Sequence, residues 1–449
     1  MSESYKRSNF WRGRLPWRTN LIVIPGSIVL ASLLLFALAQ TLDVAEFRGT
    51  IHLPAWVNQG SASDCRDLVS ATAGAIITTL GLVLSITVLI FSTAATQFGQ
   101  RLLRRYMRDR GTQTAIGIFS ATFVFALLTL LSVTSRRGEL EYVPWVSAWT
   151  SLLMALTCVA SLIYFMHHVA VLIQVNTVLA SIRQDIVRVL DTMRGSAKRP
   201  LSAAPSLQPA PNFSLTAPAS GYFQRMDHNY LTEAARHAGV VIEFIVSPGH
   251  FCLKDSVVAL ARPSGPGSTL SSPPHAFLQS FHDGVFFGPR RTMRQDPKFA
   301  ILQIVEIGLR AMSPAVNDPF TMITCIDTLA ASLKAFLDLP PIDPVHVDST
   351  GQPRLIEPQL TFERVADAGF DPIRQVCRDS VATTLRIFNA ISSLAPFLRS
   401  TTQVDALAAQ ADLTREGFTA GIVSRDALAI QSAYDSAKSA LASARQHLS

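Results

Sequence analysis

One apolar stretch carries the side chains most suited to chemistry in a hydrophobic setting. Taken at alternating steps of four and three, Gly74, Thr78, Gly81, Ser85, Val88, Ser92, Ala95 and Gly99 fall on one helical face, and seven of these eight are small or hydroxylated. The opposite face carries Ile76, Leu80, Val83 and Ile90, suited to lipid or bulky neighbours. A hydroxylated small-residue stripe has two physical uses. It lets helices approach closely and hydrogen-bond across the contact, or it lines a narrow wetted path when several copies surround an axis. The two uses are compatible, because a pore helix must also pack against its copies. Just beyond the stripe, Arg101, Arg104, Arg105 and Arg108 share one side of a helical segment, with Leu102, Leu103 and Tyr106 nearer the other. That pattern suits anionic lipid headgroups. In an oligomer the same arginines would form a basic vestibule favouring anions.

Other polar candidates have simpler explanations. Asp296-Pro297 and Asp318-Pro319 each place a helix N-cap before a proline at the first helical position. With Asn317 they form a motif that needs no catalytic role. His167 and His168 are adjacent, point to different faces and have no third ligand in sequence. His228, His237 and His250 form no triad order. Cys65, Cys158, Cys252, Cys325 and Cys377 are scattered without metal-ligand spacing, which points to free thiols. No phosphate-binding glycine loop, zinc-protease pair, nucleophile elbow or dinucleotide fingerprint is present. The sequence therefore predicts a protein that is not an enzyme, with no cofactor and no metal.

The elements that must position these residues follow from composition. Of 449 residues, 49% are hydrophobic and only 16% charged, with a mean hydropathy of +0.29. Ordinary soluble domains carry about 25% charged residues. The net charge of +7 is concentrated. Residues 1–20 hold Lys6, Arg7, Arg12, Arg14 and Arg18 against Glu3, and residues 97–113 hold five arginines against Asp109. Each stretch is net +4 and flanks an apolar run, so the pattern fits a membrane and excludes a nucleic-acid partner.

Four apolar stretches without Lys, Arg, Asp or Glu are long enough to cross about 30 Å of hydrocarbon. They run from Leu21 to Leu42, Val69 to Phe98, Thr112 to Thr134 and Val143 to Val175. The first, with its long basic leader, is expected to be an uncleaved anchor. Lys and Arg are abundant in the leader, after the second span and after the fourth, but sparse in the other two connections (Arg48 and Arg66; Arg136 and Arg137). The positive-inside rule then places both termini in the cytoplasm. Trp11, Trp17, Trp56, Trp145 and Trp149 lie near the interfaces.

The expected architecture is an α-helical membrane domain of four transmembrane helices plus a cytoplasmic α+β domain with a helical C-terminal part. Residues 1–20 form a basic leader and 21–193 the membrane domain, whose fourth helix continues beyond the bilayer. A Ser/Ala/Pro-rich linker covers 194–220, a small α+β unit 221–262, and a mainly helical region 263–449. In that region Asp296 starts a helix to about Met312 and Asp318 one to Leu337, with three more helices after a proline-rich stretch.

Several motifs are shared with a known group. The run from Phe91 to Arg104, the segment Met107-Arg108-Asp109-Arg110-Gly111, Gln295-Asp296-Pro297, and the run from Ala311 to Pro319 resemble a family of bacterial membrane proteins. That family is catalogued as a domain of unknown function, 2254 in its series. The resemblance covers most of the chain and implies a bacterial inner-membrane location with four spans, but supplies no activity. By looser analogy the stripe is similar to the pore helix of small-conductance mechanosensitive channels, although it is richer in Ser and Thr and the number of spans before it differs. The expectation is a homo-oligomer embedded in the lipid bilayer whose second spans conduct small ions, with a cytoplasmic assembly or gating domain. The alternative is a non-conducting membrane-anchored sensor or scaffold whose cytoplasmic half binds a ligand or protein.

Overall fold

The computed structural model describes residues 22–52, 54, 57, 60–97, 109–133, 142–196, 213–264, 274–340, 343–418 and 423–448. Gly99, Arg101, Arg104, Arg105 and Arg108 lie outside the described residues. The described chain divides near residue 177 into two compact units.

The first unit holds α1 (Val23–Phe47), α2 (Ala62–Gln97), α3 (Arg110–Ser132) and α4 (Trp145–Leu172). Each is long and apolar enough to cross a membrane. Helix α3 is the centre of the unit and packs against the other three. The close approach of α1 requires glycine at one position. A Cβ on Gly117 would lie 2.6 Å from Ile28 Cδ1 and 3.1 Å from the Pro25 backbone. Phe119, Phe125 and Phe165 are fully buried between the helices. Outside, Leu34, Leu82, Leu89, Leu131, Leu153 and Ile163 are exposed. So continuous an apolar surface belongs in lipid, not water.

Polar ties hold the helices near their ends. The Asp43 carboxylate, at the end of α1, accepts from the backbone N–H of Val146 (2.8 Å) and Ser147 (3.0 Å) and from the Ser147 hydroxyl (2.6 Å). It thereby caps α4, whose own N-cap, Pro144, has no side-chain cap. Gln40 donates to Ser132 Oγ and accepts from the Tyr142 hydroxyl, joining α1 to the end of α3. At the other end of α3, Asp109 caps Thr112 N–H at 2.7 Å and lies 2.8 Å from His168 Nε2 on α4. Helix α4 ends at Leu172 and a new helix, α5 (Val175–Ser196), begins after a break at Ile173–Gln174. The fourth helix therefore does not continue without interruption, contrary to the sequence expectation.

In the second unit, β1 (Phe213–Thr216), β2 (Gly221–Met226), α6 (His228–Ala238), β3 (Val240–Phe244), β4 (Phe251–Cys252) and β5 (Val257–Pro263) come first. Next are α7 (His275–Gly284), β6 (Val285–Gly288), α8 (Pro297–Ala311), α9 (Pro319–Leu337), β7 (Val345–Val347) and β8 (Pro353–Ile356). Four helices close the chain: α10 (Phe362–Cys377), α11 (Val381–Leu394), α12 (Thr401–Gly417) and α13 (Ser424–Leu448). A five-stranded sheet runs in the order β1-β5-β3-β8-β7, with only β3 and β8 parallel, and a three-stranded antiparallel sheet runs β4-β2-β6. Both sheets draw on strands from either side of residue 262. The end of the expected linker is strand β1, because Phe213-Ser-Leu-Thr alternates and buries Leu215 completely.

Phe223 stacks on Phe244 and Phe287 to form the centre of this core. Helix α9 is a fifth helix apolar enough to span a membrane by composition. Its residues Met322, Cys325, Ile326, Leu329 and Leu333 are fully buried, and it packs on α8, α10 and α11 of its own unit.

Candidate functional site

Within the described residues of the stripe, the structure places Gly74, Thr78, Gly81, Ser85, Val88 and Ser92 on the exposed side of α2, with Ala95 half-buried at its edge. Ile76, Leu80, Val83 and Ile90 are among the buried residues of the same helix, on the side that meets α3 and α4. The bulky face thus packs inside the chain and the small face is open. A Cβ added at Gly74 or Gly81 would meet nothing within 4 Å, so neither glycine serves a close approach within this chain. The hydroxyl protons of Thr78 and Ser85 are already used. Thr78 donates to Gly74 O (2.8 Å), Ser85 to Gly81 O (2.8 Å), and Thr96 to the carbonyls of Ser92 and Thr93. What remains outward on each hydroxyl is lone-pair density, able to accept from water or coordinate a cation. Ile77, Leu82, Leu84 and Leu89 flank the stripe as exposed bulky residues.

The Asp-Pro motif is built as two helix starts. Asp296 accepts from Phe299 N–H at 3.1 Å and is ion-paired with Arg291. Asp318 accepts from the N–H groups of Phe320 and Thr321, both at 3.1 Å, and from the Thr321 hydroxyl at 2.6 Å. The Thr321 hydroxyl and N–H favour the charged form and hold the Asp318 carboxyl below its ordinary range. Asn317 has φ +48, a left-handed conformation that asparagine tolerates better than most residues. Each of the three positions backbone.

A cluster that spacing does not reveal lies in the second unit. His228 is the first residue of α6, directly after β2. His346 on β7 pairs across the hairpin with Leu355 of β8, so Glu357, two residues on, shares that face as a diagonal neighbour. The turn between them includes Gly351 at φ +82, a conformation that favours glycine. Helix α6 packs against β8 and brings His228 over the pair. Both Nε2 atoms lie 2.6 Å from the same oxygen, Glu357 Oε1, and the imidazole rings stack with centroids 4.4 Å apart. Burial alone would raise the Glu357 carboxyl, but hydrogen bonds and charge from the two histidines reverse this and hold it well below the usual range. For His228, burial works downward and the Glu357 contact outweighs it, raising the imidazole. A cleft of about 400 Å³ opens beside the cluster, lined by Arg225, Met226, Asp227, His228, Asn229 and His346. From sequence His228 is grouped only with His237 and His250, in no triad order, and neither His346 nor Glu357 stands out. The available signal was a pair of short apolar runs, Val345-His346-Val347 and Leu355-Ile356-Glu357, around a Ser-Thr-Gly turn.

Several long apolar helices with a lipid-suited surface, joined in one chain to a mixed α/β unit, define a multi-pass membrane protein. The model of the family described as Predicted membrane protein (DUF2254) matches residues 18–393, and the chain belongs to that family. It is 33% identical over 327 residues to an uncharacterized protein of Mycobacterium bovis. The same identity relates it to uncharacterized proteins from two strains of Mycobacterium tuberculosis. Each match covers 71% of this chain and 61% of the relative, so the chain spans less than two thirds of those proteins' length. No solved structure matches the chain.

Proposed function

We propose that this protein is a non-enzymatic subunit of a homo-oligomer in the bacterial inner membrane, whose α2 helices surround an axis and line a path for small ions. The open small-residue face of α2 carries this reading. Glycine and hydroxyl residues on a lipid-exposed face gain nothing from lipid, whereas a second copy gives them close packing and an interior. Four spans with both termini cytoplasmic complete the proposal. The proposal leaves α9 out of the spans on the strength of its buried Met322, Cys325, Ile326, Leu329 and Leu333 and of the ion pair between its Asp327 and Arg386 of α11.

The first measurement is the oligomeric state of the detergent-solubilised protein by mass photometry. A closed ring of three or more subunits supports the proposal, and a monomer or simple dimer overturns the shared pore. For a ring, ion flux into proteoliposomes is expected, and it should be lost in S85L and S92L. A second reading, a membrane-anchored sensor, is favoured by the His228–His346–Glu357 cluster. It expects ligand binding by the second unit and no flux.

A further inference from the structure

His228, His346 and Glu357 come from three separate elements, a helix start, a strand and a strand end, and converge on one point. Their donor atoms all lie within 4.8 Å of one another. Their side chains are 29%, 25% and 21% exposed, so the point is sheltered yet reachable from the cleft at Arg225–Asn229. Without an ion, both rings must aim an N–H at a single carboxylate oxygen while lying face to face. With an ion between them, both rings are neutral and aim lone pairs at it, and the carboxylate supplies a charged third ligand.

We propose that these three side chains form a binding site for a divalent first-row transition ion, with Zn2+, which two imidazole nitrogens and one carboxylate oxygen suit, as the ion to test. In a tetrahedral zinc site the ligand atoms stand about 3.4 Å apart. The two Nε2–Oε1 separations of 2.6 Å therefore need to widen by less than about 1 Å. Rotation of three partly exposed side chains supplies that shift without moving the strands. Three protein ligands leave a coordination position open to the cleft, where water or an exogenous ligand completes the shell. The ion would also clamp the N-terminus of α6 to the β7–β8 hairpin, an edge that joins the rest of the sheet only through the short parallel pairing of β8 with β3. This inference is independent of whether α2 conducts.

The test uses the full-length protein in detergent, stripped with a chelator and then equilibrated with Zn2+ alone. Bound metal is counted by elemental analysis, and affinity is read by calorimetry. About one Zn2+ per chain is expected, with a higher thermal midpoint than the stripped protein. H346Q and E357Q should each lose that ion while eluting as the wild type does, and H237Q, which alters an exposed histidine paired with Glu233, should keep it. No uptake by the wild type, or full uptake by both H346Q and E357Q, overturns the proposal. Should the variants fold poorly, Co2+ substitution in the wild type decides. X-ray absorption showing two histidine nitrogens in a four- or five-coordinate shell supports the site, and a hexa-aqua spectrum overturns it.

Discussion

Asp318 uses one carboxylate to satisfy two backbone N–H groups and the Thr321 hydroxyl at the start of α9. D318A should cost about 1 kcal/mol of stability, read as a lower thermal midpoint at pH 7. The sign of its pH dependence follows from the lowered carboxyl. A group whose folded value lies below its unfolded value contributes fully above the unfolded value and loses that contribution as pH falls through the folded one. The gap between wild type and D318A should therefore close below about pH 4, and a gap that widens on acidification would contradict the assignment. Gly249 is a second sharp case. It sits at φ +99, and a Cβ there would run into the Asp296 carboxylate and lie 2.8 Å from Arg291 Nε. G249A should destabilise by about 1–3 kcal/mol through backbone strain alone, and by more if the Arg291–Asp296 pair is displaced. Equal melting of G249A and wild type would refute this. Both aspartate caps were legible in the sequence because capping is local, an Asp followed by Pro at the first helical position. The histidine–glutamate cluster was not, because its geometry depends on β7–β8 pairing and on α6 packing over β8.

Helices α2 and α3 both contain glycine, and the structure gives those glycines opposite roles. Gly117 of α3 admits α1, whereas the space beside Gly81 of α2 is open. G117A should displace Ile28 and press on the Pro25 backbone, costing about 1–3 kcal/mol as overpacking does. G81A should leave the thermal midpoint of the single subunit unchanged or slightly raised, since alanine is the better helix former. The comparison is made by detergent thermal unfolding, and a G81A loss as large as that of G117A would place Gly81 in a contact within the subunit. The four apolar helices were legible from hydropathy, with ends within a few residues of those expected apart from α2, which begins at Ala62 and not at Val69. Periodicity also separated the two faces of α2. It could not say which face turns inward, because Ile76, Leu80, Val83 and Ile90 suit lipid as well as they suit α3. The polar ties of Asp43 to α4 and of Asp109 to His168 were equally hidden, since each joins residues distant in the chain.

At the scale of the whole molecule, the distribution of charge predicts which connections face the cytoplasm. The connection between α2 and α3 holds Arg101, Arg104, Arg105 and Arg108, with Arg110 opening α3, while that between α3 and α4 holds only Arg136 and Arg137. Positive charge is retained on the cytoplasmic side, so the α2–α3 connection, α5 and the second unit should be cytoplasmic and the α3–α4 connection periplasmic. The His228–His346–Glu357 cluster would then meet cytoplasmic metal, and any path along α2 would open toward a surface rich in arginine. Reporter fusions separate the alternatives directly. Green fluorescent protein fused after Ser449 should fluoresce and alkaline phosphatase there should be inactive, whereas alkaline phosphatase inserted in the α3–α4 connection should be active. An odd number of spans, as would follow if α9 crossed the membrane, requires the C-terminal fusion to reverse. The Asp327–Arg386 pair and the burial of Met322, Cys325, Ile326, Leu329 and Leu333 against its own unit argue that it will not.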